Sequence, residues 1–111
     1  MASRRVNKVI LVGYLRKDPS VRFLPNGEPV ADIVVATLDR WRDPSGQRKQ
    51  RAKSHHVVCF RGLARIAGGF MRKGSKVYIA GSLRFRKWPR EGIDQYTTEI
   101  VADEMQILDQ S

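Results

Sequence analysis

The chain has 111 residues, 41% of them hydrophobic, which suits one domain with a modest core and excludes a wholly disordered chain. Basic residues outnumber acidic ones 21 to 11, and the formal charge of +10 predicts an anionic partner, nucleic acid or a membrane surface. No apolar run approaches the ~20 residues that span a bilayer, and the start Met-Ala-Ser-Arg-Arg lacks signal-peptide anatomy, so a cytoplasmic protein is expected.

Residues 6–15, Val-Asn-Lys-Val-Ile-Leu-Val-Gly-Tyr-Leu, are rich in β-branched side chains and predict the first strand. Both its faces are mostly apolar. It is therefore expected to be buried on both sides, or to pack one side on another subunit. Asp18-Pro19 breaks it. Residues 21–24 predict a short continuation before the turn Pro25-Asn26-Gly27. Residues 30–38 predict the second strand. Residues 40–53 hold Asp43-Pro44-Ser45-Gly46 and six cations against Asp43 alone, the composition of a long mobile hairpin loop. Residues 54–60 predict the third strand, with Ser54, His56, Val58 and Phe60 on one face and His55, Val57 and Cys59 on the other. Cys59, the single cysteine, reads as a small core residue.

Leu63, Ile66, Ala67, Phe70 and Met71 recur at helical spacing and predict an amphipathic helix. Gly68-Gly69 weakens its interior, Arg72 and Lys73 suit its C-terminal dipole, and Gly74 suits a left-handed cap. Residues 76–88 predict the fourth strand. Its set Val77, Ile79, Gly81, Leu83 and Phe85 is expected to face the core. The other set is Tyr78, Ala80, Ser82, Arg84, Arg86 and Trp88, cations and aromatics with small residues between. Such a face suits phosphates and an unstacked base, or is a solvated strand face with one rim tryptophan. Residues 89–94 predict a second loop, and residues 95–108 the last strand, with a bulge or bend near residues 102–104.

One helix between the third and fourth of five strands is the order of an OB-fold, so an all-β class with one helix and a five-stranded Greek-key barrel is expected, as a single domain over residues 1–111 with its last few residues disordered. The charge gathers in residues 40–53 and 84–90, each carrying a tryptophan, without the helical pattern of a membrane-surface segment. Nucleic acid is thus favoured over membrane. The chain lacks a phosphate loop, a nucleophile elbow and a zinc-protease motif, and its carboxylates are few and scattered. Adjacent His55 and His56 point to opposite faces and chelate one metal poorly. A non-catalytic binding module is expected, with no cofactor, metal or small-molecule substrate.

The pieces Val6-Asn7-Lys8-Val9-Ile10-Leu11-Val12-Gly13, Asp18-Pro19, Val21-Arg22-Phe23-Leu24-Pro25-Asn26-Gly27, Trp41-Arg42-Asp43, His55 through Phe60, Arg72-Lys73-Gly74-Ser75, Val77-Tyr78-Ile79, Arg86-Lys87-Trp88 and Tyr96-Thr97-Thr98-Glu99 occur in an order and spacing that resembles the bacterial single-stranded DNA-binding protein, SSB. The resemblance covers residues 2–108. It implies an OB-fold protomer in a homotetramer, usually a pair of dimers, that wraps single-stranded DNA without sequence preference in replication, recombination and repair. It implies that Trp41, Phe60 and Trp88 stack bases, at about 1–3 kcal/mol each. Phosphate contacts are expected from Lys8, Arg22, Arg42, Arg48, Lys49, Arg51, Lys53, Arg61, Lys73, Arg84, Arg86 and Lys87. The subunit interface is expected at Val6, Lys8, Ile10, Val12, Tyr78 and, by the resemblance, His55.

Two departures stand out. Where the family commonly has a further stacking tryptophan, this chain has Ser54; added cations Arg51, Lys53 and Arg61 are expected to compensate through phosphate contacts. Relatives commonly continue into a flexible tail with an acidic, hydrophobic tip that recruits enzymes, whereas this sequence stops at Ser111, so recruitment through such a tip is not carried over. Two other readings stay open: an OB-fold primosome or recombination accessory protein acting through protein contacts, and a single-stranded RNA chaperone.

Overall fold

Alternating Val, Ile and Leu on five strands turn one side of each inward and roll the sheet into a closed barrel. The computed structural model describes residues 6–108, without the side chains of Trp88 and Arg90. The elements are β1 (Val9–Leu15), β2 (Ser20–Phe23), β3 (Pro29–Arg42), β4 (Arg48–Phe60), α1 (Gly62–Phe70), β5 (Lys76–Arg90) and β6 (Ile93–Ile107). Neighbours run β1-β5-β6-β4-β3, and β3 returns to β1 through Tyr14↔Ala36 and Leu15↔Val35, which closes the ring. β4 and β6 are parallel at Val57↔Ile100 and Val58↔Val101; the other pairs are antiparallel. β2 lies outside the ring on β3, as a separate short strand where a continuation of the first was expected. This is a five-stranded OB-fold barrel, with α1 between its third and fourth strands, β4 and β5.

The core is Leu15, Ile33, Val35, Val57, Cys59, Val77, Ile79 and Ile100, with Ala64, Ala67 and Met71 from the helical segment. Cys59 packs there, and burial, helped by the Asp32 carboxylate, pushes its thiol up to about 12. Two glycines let strands cross closely. A Cβ at Gly13 would lie 2.1 Å from the Ala36 carbonyl oxygen, and one at Gly81 would lie 2.0 Å from that of Val101. Beside Gly81 the β5–β6 register jumps from Ala80↔Glu104 to Gly81↔Ala102. Asp103 is the extra residue, so the bend expected at residues 102–104 is a bulge.

Four expectations need correction. First, residues 40–53 are mostly ladder: Arg40↔Gln50, Trp41↔Lys49 and Arg42↔Arg48 are in register, and only residues 43–47 turn. Second, residues 89–94 pair as Pro89↔Asp94 and Arg90↔Ile93, leaving Glu91 and Gly92 as a two-residue turn with φ of 54° and 77°. In both ladders each face meets water, so no apolar alternation marks the strands in sequence. Third, Leu83 and Phe85 do not reach the core; they are 41% and 71% exposed, because β5 leaves the barrel beyond Gly81. Fourth, α1 buries Ala64 and Ala67, while Ile66 and Phe70 face solvent. The helix stops at Phe70 with Met71 extended, and Gly74, at φ 91°, serves the following turn, its N–H donating to the Leu15 carbonyl at 2.8 Å.

Arg61 precedes α1 with φ 55° and ψ −120°, a region that favours glycine. Its side chain gains only an exposed pair with Glu28 at 3.0 Å. Arg61→Gly should therefore raise stability by about 1 kcal/mol, whereas Gly81→Ala should lower it by about 3 kcal/mol through the clash with the β6 backbone. Urea unfolding at one fixed protein concentration measures both.

Candidate nucleic-acid interface

Outward-facing residues of β2 to β6 meet on one side of the barrel and form a chain of charges. Arg22 Nε on β2 lies 3.1 Å from Asp32 Oδ2 on β3. The other Asp32 oxygen lies 3.0 Å from His56 Nε2 on β4. His56 Nδ1 stands 3.8 Å from Glu99 Oε2 on β6, and Glu99 Oε1 accepts from Arg84 on β5, with Nε at 2.9 Å and Nη2 on the same oxygen. Glu99 is buried, at 1% exposure, which is tolerable for a carboxylate only because of these partners. Phe60, at the end of β4, lies on this face with the Arg84 guanidinium carbon 5.7 Å from its ring centroid. Arg86, His56, Thr97 and Glu99 line an open recess of about 350 Å³ beside it.

The two long ladders carry the remaining predicted residues away from the barrel. Trp41 lies near the tip of the β3–β4 hairpin, 43% exposed, with the Arg51 guanidinium carbon 5.5 Å from its ring centroid. Together with Arg40, Arg42, Arg48, Lys49 and Gln50 it lines a recess of about 590 Å³. Trp41 pairs with Lys49 and Phe60 with Val30, so the two aromatics fall on opposite faces of the ladder. The structure thus brings Phe60, Arg22, Arg84 and Arg86 onto one surface and sets Trp41 with Arg51 on another. Trp88 pairs with Gln95 near the tip of the β5–β6 hairpin and alternates with Arg84 and Arg86; its side chain lies outside the described residues.

The predicted cations divide by their partners. Lys53 is tied to Asp39 at 2.7 Å, Arg61 to Glu28 at 3.0 Å, and Lys87 to Asp94 at 3.1 Å on the hairpin face opposite Arg86. Lys53, followed by the charges of Arg51 and His55, holds the Asp39 carboxyl below its usual range. Among the described residues, Lys8, Arg42, Arg48, Lys49, Lys73 and Arg86 form no ion pair. Ser54 Oγ accepts from Arg16 Nη1 at 2.7 Å, so the position of the missing tryptophan anchors a further arginine.

Of the predicted interface residues, Ile10 and Val12 face outward on β1 with Tyr14, each about half exposed, and Val12 pairs with Tyr78. Val6 and Lys8 are exposed ahead of them. His55 sits apart, on the alternation of Val57 and Cys59, with Nε2 2.9 Å from Thr37 Oγ1. Sequence reasoning missed Asp32 and the buried Glu99. The one signal for Glu99 was an acid among the threonines of β6 at a position able to face Arg84.

Geometry and comparison now converge. The model of the single-strand binding protein family matches residues 6–108. The chain belongs to that family. It is similar to a solved Plasmodium falciparum SSB in complex with ssDNA, with 30% identity, a TM-score of 0.90 and coverage of 98% of this chain and 100% of that one. It is also similar to a deletion mutant of the single-stranded DNA binding protein from Thermus aquaticus, with 28% identity and a TM-score of 0.85. That match covers 94% of this chain and 51% of the other, so this chain spans about half the length of the Thermus protein. Both of these proteins therefore share the fold of this chain; among the described residues no helix is long and apolar enough to cross a membrane.

The β3–β4 tip is held by one carboxylate. Asp43 Oδ1 accepts from the Ser45 hydroxyl at 2.7 Å, the Gln47 amide at 2.9 Å and the Ser45 amide at 3.0 Å. The Ser45 hydroxyl first, then the Gln47 amide, hold the Asp43 carboxyl below its usual range. A depressed folded value stabilises the turn at and above the ordinary carboxylate range, and that contribution is lost as pH falls through the folded value. NMR signals of the Ser45 and Gln47 amides should stay fixed from neutral pH down to the ordinary carboxylate range and move only below it. Asp43→Ala should speed their hydrogen exchange at neutral pH, and the difference from the parent should shrink once pH falls below the folded Asp43 value.

Proposed function

We propose that this protein binds single-stranded DNA without sequence preference and shields it during replication, recombination and repair. The observation that supports the reading most directly is its likeness, over 98% of its length, to an SSB solved with ssDNA. In this reading unstacked bases lie on Trp41, Trp88 and the Phe60 surface, while arginines and lysines follow the phosphates. Every base has a π-face, so stacking tolerates any sequence. A duplex keeps its bases paired and away from those rings, and should bind poorly. The act is binding and release, with no bond made or broken. The half-exposed apolar face of β1, Ile10, Val12 and Tyr14, is the surface on which a second copy would sit, and a homotetramer is the assembly the family suggests.

Tryptophan fluorescence during titration with oligo-dT, oligo-rU and duplex DNA, each at low and high salt, tests the reading. Strong quenching by dT that survives salt, with weak duplex binding, is expected. Preference for rU would point to an RNA role, and binding to all three that vanishes in salt would leave charge alone acting and favour a protein-contact role. Trp41→Ala should cost ~1–3 kcal/mol of affinity at both salts, because stacking is not screened. Lys49→Ala, across the ladder from Trp41, should cost affinity mainly at low salt and flatten the salt dependence by about 0.7 in log–log slope.

A further inference from the structure

We propose that the Arg84 guanidinium is itself a base-stacking surface, backed by the Phe60 ring and fixed in place by Glu99. The inference rests on the single-strand-binding reading and goes beyond the expectation that Arg84 contacts phosphate and that Phe60 stacks a base directly.

Four observations support it. The guanidinium carbon of Arg84 stands over the Phe60 ring, 5.7 Å from its centroid and within cation–π range, so a planar cation already lies against that side of the ring. Its Nε and Nη2 both reach one oxygen of Glu99. Hydrogen bonds to a guanidinium lie in its plane, so the carboxylate holds the edge and leaves the flat faces for stacking. The Arg84 side chain keeps 47% of its surface exposed, so a strand has access to it. Finally, Glu99 is 1% exposed, and the only other basic side chain within 4 Å of its carboxylate among the described residues is His56 at 3.8 Å. If Arg84 swung away to follow a phosphate, or to uncover Phe60, a buried carboxylate would lose its main partner.

The charge argument runs the same way. Glu99 cancels most of the field that Arg84 could offer a phosphate, yet leaves its plane intact. Arg51 over Trp41 makes the useful contrast. It stands at a similar distance, 5.5 Å, but among the described residues no carboxylate bonds to it, so it can lift off the indole and let a base in. Bases stack on arginine planes as readily as on aromatic rings. The Phe60 surface is therefore a fixed platform whose outer layer is Arg84, with Glu99 as a positioning residue.

Arg84→Lys separates the roles, because it keeps the charge and removes the plane. Binding of oligo-dT is measured at low and high salt for the parent and the variant, with thermal unfolding to show that the variant folds. The expected result is about a tenfold loss of affinity at both salts with an unchanged salt slope. Parent-like binding would make Arg84 a phosphate contact, and tighter binding would make it a lid over Phe60; either overturns the proposal. The unsubstituted protein gives a second readout that does not depend on the variant's folding. The NMR signal of the Arg84 Nε–H should remain hydrogen-bonded during titration with oligo-dT and move upfield under the ring current of a base. Loss of that signal on binding would mean that Arg84 leaves Glu99, and would overturn the proposal. If the parent fails to bind oligo-dT at either salt, the single-strand reading itself fails.

Discussion

A small closed barrel has room for few inward side chains, and this limit shapes the rest of the molecule. The ring closes at Tyr14↔Ala36 and Leu15↔Val35, and Gly13 and Gly81 allow strands to pass where no Cβ fits. Yet β3, β4, β5 and β6 are each 13 to 15 residues long. Strands of that length cannot stay within so small a ring. They run on as two paired ribbons whose backbones are satisfied by each other and whose side chains meet water on both faces. Those ribbons carry Trp41 and Trp88 and, among the described residues, Arg42, Arg48, Lys49 and Arg86 without an ion pair. Trp41 is exposed because it lies on a ribbon beyond the barrel.

The outer face of the barrel obeys a different rule. Asp32 and Glu99 place two carboxylates in the middle of a face of a chain whose net charge is +10. Negative groups beneath an anionic strand oppose binding by simple Coulomb attraction. They fit if they orient rather than attract. Asp32 joins Arg22 to His56, and Glu99 joins His56 to Arg84, so the chain of charges fixes side chains from five strands. Orientation lowers the entropy that long side chains lose when a strand arrives. The barrel face is thus pre-organised, while the β3–β4 tip, where Arg42, Arg48 and Lys49 make no ion pair among the described residues, supplies undirected charge.

Much of this was legible in the sequence, for physical reasons. The inner half of β5 is a half-buried strand, and burial writes a two-residue period there, while β1 and residues 54–60 were legible from their β-branched and apolar side chains. The bulge near residues 102–104 showed as a break in that period. Residues 40–53 and 89–94 were read wholly as loops because a strand wet on both sides has no period to show, and because Pro44, Gly46, Pro89 and Gly92 are turn residues in any context. The order of inward and outward residues on β5 was right, but Leu83 and Phe85 were given to the core because alternation cannot tell where a strand leaves a barrel. Ala64 was missed on α1 because small residues carry little hydrophobic signal. Of the site, the aromatics and cations were visible as residue types. Their partners were not: the pairing of Arg84 with Glu99 and of Phe60 with Arg84 depends on register, which one sequence does not display.

The cations added around the Ser54 position can be ranked by what a phosphate must displace. Lys53 and Arg61 sit in exposed pairs with Asp39 and Glu28, and such pairs are worth ~0–1 kcal/mol, so a phosphate can replace either carboxylate at small cost. Arg51 gives up only its contact with the Trp41 ring, a ring that a base would then occupy. Arg16 is the unforeseen member: it donates to Ser54 where relatives commonly carry an indole, so the change that removes a stacking surface also seats a guanidinium there. Arg84 stands at the other end of the scale, because its carboxylate has no water to turn to. In the proposed reading the same residue type therefore serves two purposes on one chain. Which purpose a given arginine serves is decided by the burial of the acid beside it, not by its own charge.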